Sequence, residues 1–195
     1  MVILLIGYKD SKIKTFLEQN NTLYWVDGNK NITLKLIQQY NPEYIILHGC
    51  HKILSPDITS LYQNRIINHH GGYLPWCRGA HPNVWSFVKD TPKGGTIHFV
   101  SPNIDDGDII IQKEIKIYPN DTLSNTYWRI RELLETLFIE NWEKIINNKL
   151  KPKKQKIEIG CLHYRKDLKN IEHLLYDGWN TPIKHIKKIK NEKNN

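Results

Sequence analysis

Two periods of hydrophobic and polar positions alternate along the chain. Short apolar runs of the kind that buried strands carry begin at Val2 (VILLIGY), Leu23 (LYWVDGN), Glu43 (EYIILHGC), Arg65 (RIINHH), Gly94 (GGTIHFV) and Asp108 (DIIIQKEI). Between them lie segments whose apolar residues return at helical spacing. These are SKIKTFLEQN with Ser11 as N-cap, ITLKLIQQYN, the brief SPDITSLYQN with Ser55 and Pro56 as N-cap and first helical residue, and HPNVWSFVKD. A long helix is expected from Thr122 to about Asn147. Such alternation predicts an α/β chain with a doubly wound, mostly parallel, Rossmann-like sheet. From LKPKKQK onward the pattern turns basic and polar, which places a boundary near Leu150 between a main domain, 1–150, and a small C-terminal extension, 151–195. The end, KHIKKIKNEKNN from Lys184, has too few aliphatic residues to offset its ordering entropy and reads as disordered.

Composition narrows the class. The 195 residues are 39% hydrophobic with six Trp and ten Tyr, enough for one sizeable core. The apolar start is only seven residues long, too short for a leader's apolar region or a membrane span, and Cys50, Cys77 and Cys161 do not form a disulfide framework. Together these point to a reducing cytoplasm. The net charge is +8, but residues 151–195 hold a surplus of seven and residues 1–150 a surplus of one. A nearly neutral main domain speaks against a nucleic-acid reader, which carries its basic stripe on the docking face.

Candidate chemistry gathers between residues 66 and 107. Asn68 and His70 stand two apart on one expected strand, so both leave the same face near its C-terminal end, the edge where open α/β sheets bind ligands. With Asp105, from the turn-rich NIDDGD, they supply an amide, an imidazole and a carboxylate to one acyl-transfer site. His69 faces the other way and reads as structural. His98 either buttresses Asp105 or is a satisfied core histidine. His48, Cys50 and His51 lack the second ligand pair of a zinc site, so no metal is expected. Cys77, with no adjacent base, reads as a small apolar filler.

The spans GCHKILSP from Gly49, INHH followed by YLP from Ile67, Arg78-Gly79, and TIHFV followed by IDDG from Thr96 resemble the folate-dependent formyltransferase family. The chain departs from the family's His-Pro-Ser with His70-Gly71-Gly72. The resemblance implies a Rossmann-like formyltransferase fold, catalysis by Asn68, His70 and Asp105, and N10-formyltetrahydrofolate as formyl donor. It also implies that Lys52, Ile53, Leu54 and Val100 line the folate pocket. Trp76, Arg78 and His81 are the acceptor-side candidates, with an Arg to grip phosphate and a Trp to stack, whereas Trp85 is more in keeping with core. The first strand runs into GYKDSKIK rather than a Gly/Ser-rich phosphate loop, and about 45 residues follow Leu150 where a tRNA-reading relative adds a β-barrel domain. The nucleotide-sugar branch is therefore expected, with a dTDP-linked 3- or 4-amino-dideoxyhexose as acceptor. Glycinamide ribonucleotide, methionyl-tRNA and a catalytically inactive binding relative are the alternatives. The aromatic-rich long helix reads as a core or homodimer helix.

Overall fold

The computed structural model describes residues 1–186. Strands β1 (Val2–Gly7), β2 (Thr22–Asp27), β3 (Tyr44–His48), β4 (Ile66–His70), β6 (Gly94–Phe99) and β7 (Ile109–Glu114) form one sheet in the order β2-β1-β3-β4-β6-β7. The β1–β2, β1–β3 and β3–β4 pairs are parallel. A second, two-stranded parallel sheet pairs β5 (Arg78–Gly79) with β8 (Leu162–His163), an element the sequence pattern does not announce. Helices α1 (Lys12–Asn20), α2 (Leu34–Tyr40), α3 (Pro56–Leu61), α4 (Pro82–Val88) and α5 (Leu123–Ile146) fall where the helical periods lie. The doubly wound, mostly parallel sheet is the expected fold. No helix among the described residues is long and apolar enough to cross a membrane.

Local chemistry sets the helix starts. Ser11 Oγ accepts from Lys14 N–H, and Thr33 Oγ1 accepts from Leu36 N–H, each satisfying a backbone donor that the helix leaves over. Ser55 makes no such bond, and Pro56 instead gives α3 a first residue that needs no acceptor.

The chain divides into two compact units, and each is assembled from three stretches. Among the described residues the first comprises 1–70, 97–111 and 135–155, the second 71–96, 112–134 and 156–186. Within the first unit, Leu4, Ile6, Ile45, Leu47 and Ile66 point to one face of the sheet, where Ile37 and Ile58 of α2 and α3 cover them. The opposite face meets α5: Tyr44 packs edge-on against Trp142, and His69 against Phe138. Within the second unit, Val84, Trp85 and Phe87 of α4 are buried with Leu123, Ile171, Leu174, Ile183 and Ile186.

That last cluster corrects the reading of the tail. Residues 184–186 are helical, and Ile186 is only 1% exposed, because the spacing of Ile183 and Ile186 puts both on the face that closes over α4's apolar residues. The remainder of the expected disordered end, residues 187–195, lies outside the described residues. Ile186→Ala is predicted to lower unfolding free energy by about 2–5 kcal/mol. Lys184→Ala, at an exposed position, should stay within about 0.5 kcal/mol. Urea unfolding of both variants checks this, and equal effects would contradict the packing.

Candidate active site

The site is built on β4 and on the loop after β6, both in the first unit. Period-two alternation sends Ile66 into the α2/α3 side, so Asn68 and His70 follow it onto that face at the strand's C-terminal end. Val100 N–H donates to the Ile66 carbonyl, setting the 101–108 loop beside them. The three expected residues come together there. His70 Nδ1 lies 3.3 Å from Asp105 Oδ2, and Asn68 Nδ2 donates to Asp105 Oδ1 at 3.2 Å. His70 is buried, and Asp105 retains 17% side-chain exposure.

His98 lies beside the same constellation, buried and hydrogen-bonded on both ring nitrogens. Its Nδ1 is 2.8 Å from the Phe99 carbonyl oxygen, which can only accept, so Nδ1 carries the hydrogen. In the neutral ring Nε2 is then an acceptor, and Asn68 Nδ2 donates to it at 3.1 Å. Asp105 Oδ1 lies 3.5 Å from the same Nε2. One amide hydrogen of Asn68 thus goes to His98 and the other to Asp105. The same logic applies to His70. Facing a carboxylate, which can only accept when ionised, its Nδ1 carries the hydrogen.

The loop that presents Asp105 is shaped by its own side chains. Asp105 has φ 49°, in the left-handed region, where Asp is among the few non-glycine residues commonly found. The Asp106 carboxylate accepts from Asn103 Nδ2 at 2.8 Å and is also contacted by the Ser101 hydroxyl. Gly107 is sterically required: a Cβ there would sit 1.9 Å from the Phe99 carbonyl oxygen. Gly71 has no such need, since a Cβ would meet nothing closer than 3.8 Å, so the Gly71-Gly72 departure reflects no demand for glycine at Gly71.

The residues expected to contact folate also lie in the first unit. Leu54 is buried in the cluster against which Val100 packs, whereas Lys52 and Ile53 are exposed, Ile53 at 74%. The acceptor-side candidates belong to the second unit. Trp76 packs on its core, and Arg78 in β5 has its Nε buried with no hydrogen-bond partner among the described residues. The His81 ring lies 5.7 Å from that of Trp179. Trp85 is core, stacked on His163 at 3.8 Å between ring centroids. Cys77 is buried, and burial together with the neighbouring Cys161 thiol pushes its pKa up to about 12, which leaves no thiolate to act as nucleophile at neutral pH.

The mutual contacts of three buried groups on the opposite face of the sheet, His48, His69 and Glu135, went unread in the sequence. His48 Nε2 lies 3.0 Å from Glu135 Oε1 of α5, and His48 Nδ1 lies 3.2 Å from His69 Nδ1. His48 is thereby engaged inward, away from Cys50, whose thiol points to the Lys52 carbonyl, and from the exposed His51. Burial, with lesser contributions from His48 and His98, holds the His69 pKa well below its ordinary value. The folded protein therefore keeps His69 neutral while the unfolded chain takes up a proton below about pH 6.5. Because the unfolded state binds the extra proton, stability falls as pH drops below that value, by up to about 1.4 kcal/mol per pH unit. His69→Phe is predicted to flatten this slope between about pH 6.5 and 5 in urea unfolding, and an unchanged slope would contradict the assignment.

A family model described as "Formyl transferase" matches residues 9–141, more than half of the chain. The fold is similar to that of the formyltransferase PseJ from Anoxybacillus kamchatkensis, solved with UDP-4,6-dideoxy-4-formamido-L-AltNAc and tetrahydrofolate. The TM-score is 0.88 at 38% identity, over 94% of this chain and 96% of that one. A sugar N-formyltransferase from Shewanella sp. FDAARGOS_354 shares the fold, with a TM-score of 0.75 at 23% identity over 97% and 87% of the two chains. Methionyl-tRNA formyltransferase of Clostridium tetani is 27% identical over 157 residues, 80% of this chain and 49% of that protein. The chain spans about half the length of the curated methionyl-tRNA formyltransferases it matches. With its parallel sheet, its Asn68-His70-Asp105 constellation and that family match in agreement, the chain belongs to the formyl transferase family.

Proposed function

We propose that the protein transfers a formyl group from N10-formyltetrahydrofolate to the amine of a nucleotide-linked amino-dideoxy sugar. The observation that carries this reading is the convergence of Asn68, His70 and Asp105 at the C-terminal edge of the sheet. Near-full-length similarity to a formyltransferase solved with a UDP-linked formamido sugar and tetrahydrofolate supports both substrate classes. It also favours a UDP-linked 4-amino-4,6-dideoxy sugar over the dTDP-linked acceptor expected from the sequence.

In this mechanism the neutral sugar amine attacks the formyl carbon. The C–N bond forms as the carbonyl oxygen becomes an alkoxide. Protonated His70 donates from Nε2 to that oxygen, with Asp105 on Nδ1 stabilising the imidazolium. Both amide hydrogens of Asn68 are engaged at rest, so its donation to the alkoxide exchanges one of those bonds. Transfer of the amine proton to Asp105 favours that exchange, because a protonated carboxyl is the weaker acceptor. The proton then passes to N10 as the C–N10 bond breaks, giving the formamide and tetrahydrofolate. Ile53, an apolar side chain held out in solvent beside Lys52 and Leu54, suits the pterin, with Val100 on the same apolar cluster as Leu54. On the acceptor side, Arg78 would grip the diphosphate, and Trp76 and His81 the sugar or base.

His70→Asn and Asp105→Asn are predicted to fold and to lose at least about a hundredfold in turnover, the usual cost of removing an acid/base or oxyanion group. A near-normal rate in either would overturn the assigned roles. With limiting formyl donor and equal concentrations of UDP-linked and dTDP-linked 4-amino-dideoxy sugars, glycinamide ribonucleotide and methionyl-tRNA, the UDP-linked sugar should be labelled first, read as the mass gain of one formyl group. Preferential labelling of either non-sugar acceptor would overturn the acceptor class.

A further inference from the structure

Gln155 lies 50 residues from Asp105 in sequence, in the basic stretch that the sequence pattern assigned to the extension. Its Nε2 donates to the Asp105 carbonyl oxygen at 3.0 Å and to the Gly107 carbonyl oxygen at 2.7 Å. The two hydrogens of one amide therefore hold the backbone of the residue that carries the shared carboxylate and that of the glycine two residues on. The segment bearing Gln155 is itself anchored: Ile109 and Lys153 exchange both backbone hydrogen bonds, each at 2.8 Å, in an isolated antiparallel bridge. Gln155 Oε1 is buried with no hydrogen-bond partner among the described residues. A buried acceptor left over is a net cost, and it marks the amide as oriented for its donor side.

We propose that Gln155 is a positioning residue for formyl transfer, fixing the backbone at residues 105–107 so that the Asp105 carboxylate stays between His70 and Asn68. The inference rests on the reading of Asn68, His70 and Asp105 as the reacting constellation. Asp105 carries its side chain from a left-handed backbone, and the carbonyls on its own residue and at Gly107 define the turn. Without the Gln155 amide that turn loses two tertiary hydrogen bonds, and the carboxylate is displaced relative to His70. Displacements near 1 Å at a reacting group cost up to about a hundredfold in rate.

The test is Gln155→Met, which keeps length and removes the donors, alone and combined with Asp105→Asn. Gln155→Met should lower kcat by about ten- to a hundredfold with KM for both substrates changed by less than about threefold. In the Asp105→Asn background it should add less than about twofold, because a residue acting through Asp105 has nothing further to remove. Ring nitrogen shifts of His70 and His98 in the free protein should move, while those of His48, on the opposite face, stay put. Wild-type kcat in Gln155→Met, multiplicative losses in the double variant, or unmoved His70 and His98 signals would each overturn the proposal. Should Gln155→Met fail to fold, Gln155→Asn, too short to reach both carbonyls, is read by the same three measures. If the ring signals move but the wild-type protein formylates no acceptor, the functional reading falls while the positioning of Asp105 stands.

Discussion

Everything at this site hangs on one carboxylate shared by two partners. Asp105 offers Oδ2 to His70 and Oδ1 to Asn68, whose other amide hydrogen goes to His98 Nε2. An ionised carboxylate has about four acceptor positions, so such sharing is chemically ordinary. The difficulty is placement. The side chain reaches these partners from a residue at φ 49°, in a loop that passes so close to the Phe99 carbonyl that only glycine fits at Gly107. Asp105-Asp106-Gly107 is thus a backbone solution first: one Asp tolerates the left-handed turn and presents its carboxylate to His70 and Asn68, and the next ties the loop to Ser101 and Asn103.

The strand opposite this loop separates two kinds of histidine. On β4, His70 turns toward Asp105, while His69, one residue earlier, turns toward His48 and Phe138 and is held neutral by burial. Alternation alone gives adjacent imidazoles opposite duties. The pair beneath the sheet is anchored by Glu135 on α5, and His48 lies at the end of β3, immediately before the loop that carries Lys52, Ile53 and Leu54. The buried polar groups of that face therefore lie at the root of the proposed folate loop, and the groups of the other face form the Asn68-His70-Asp105 constellation.

Most of this was legible from local pattern. Strand and helix periods located the main sheet and α1 to α5, and the spacing of Asn68 and His70 against NIDDGD located the constellation. Four things were not legible, each because it depends on contacts remote in sequence. His98 could be assigned only once its Nδ1 was seen on its neighbour's carbonyl and its Nε2 on Asn68, 30 residues away. The His48–Glu135 pair spans 87 residues. The two-residue pairing of β5 with β8 is too short to leave a period, and Ile186, set among lysines, looked like tail until Ile183 and the α4 side chains supplied its packing. Composition reports what a segment can bury by itself; it does not report what another segment offers to cover.

The central claim, that the carboxylate shared by His70 and Asn68 moves the proton that lets a sugar amine take the formyl group, is tested most directly by following the formyl carbon. N10-formyltetrahydrofolate labelled with carbon-13 at the formyl group, mixed with the UDP-linked amino sugar, should show its signal pass by NMR to the sugar formamide in the wild-type protein. In Asp105→Asn the signal should remain on the folate over the same interval. A label that reaches the sugar equally fast in Asp105→Asn, or that appears only as free formate in the wild-type protein, would contradict the account.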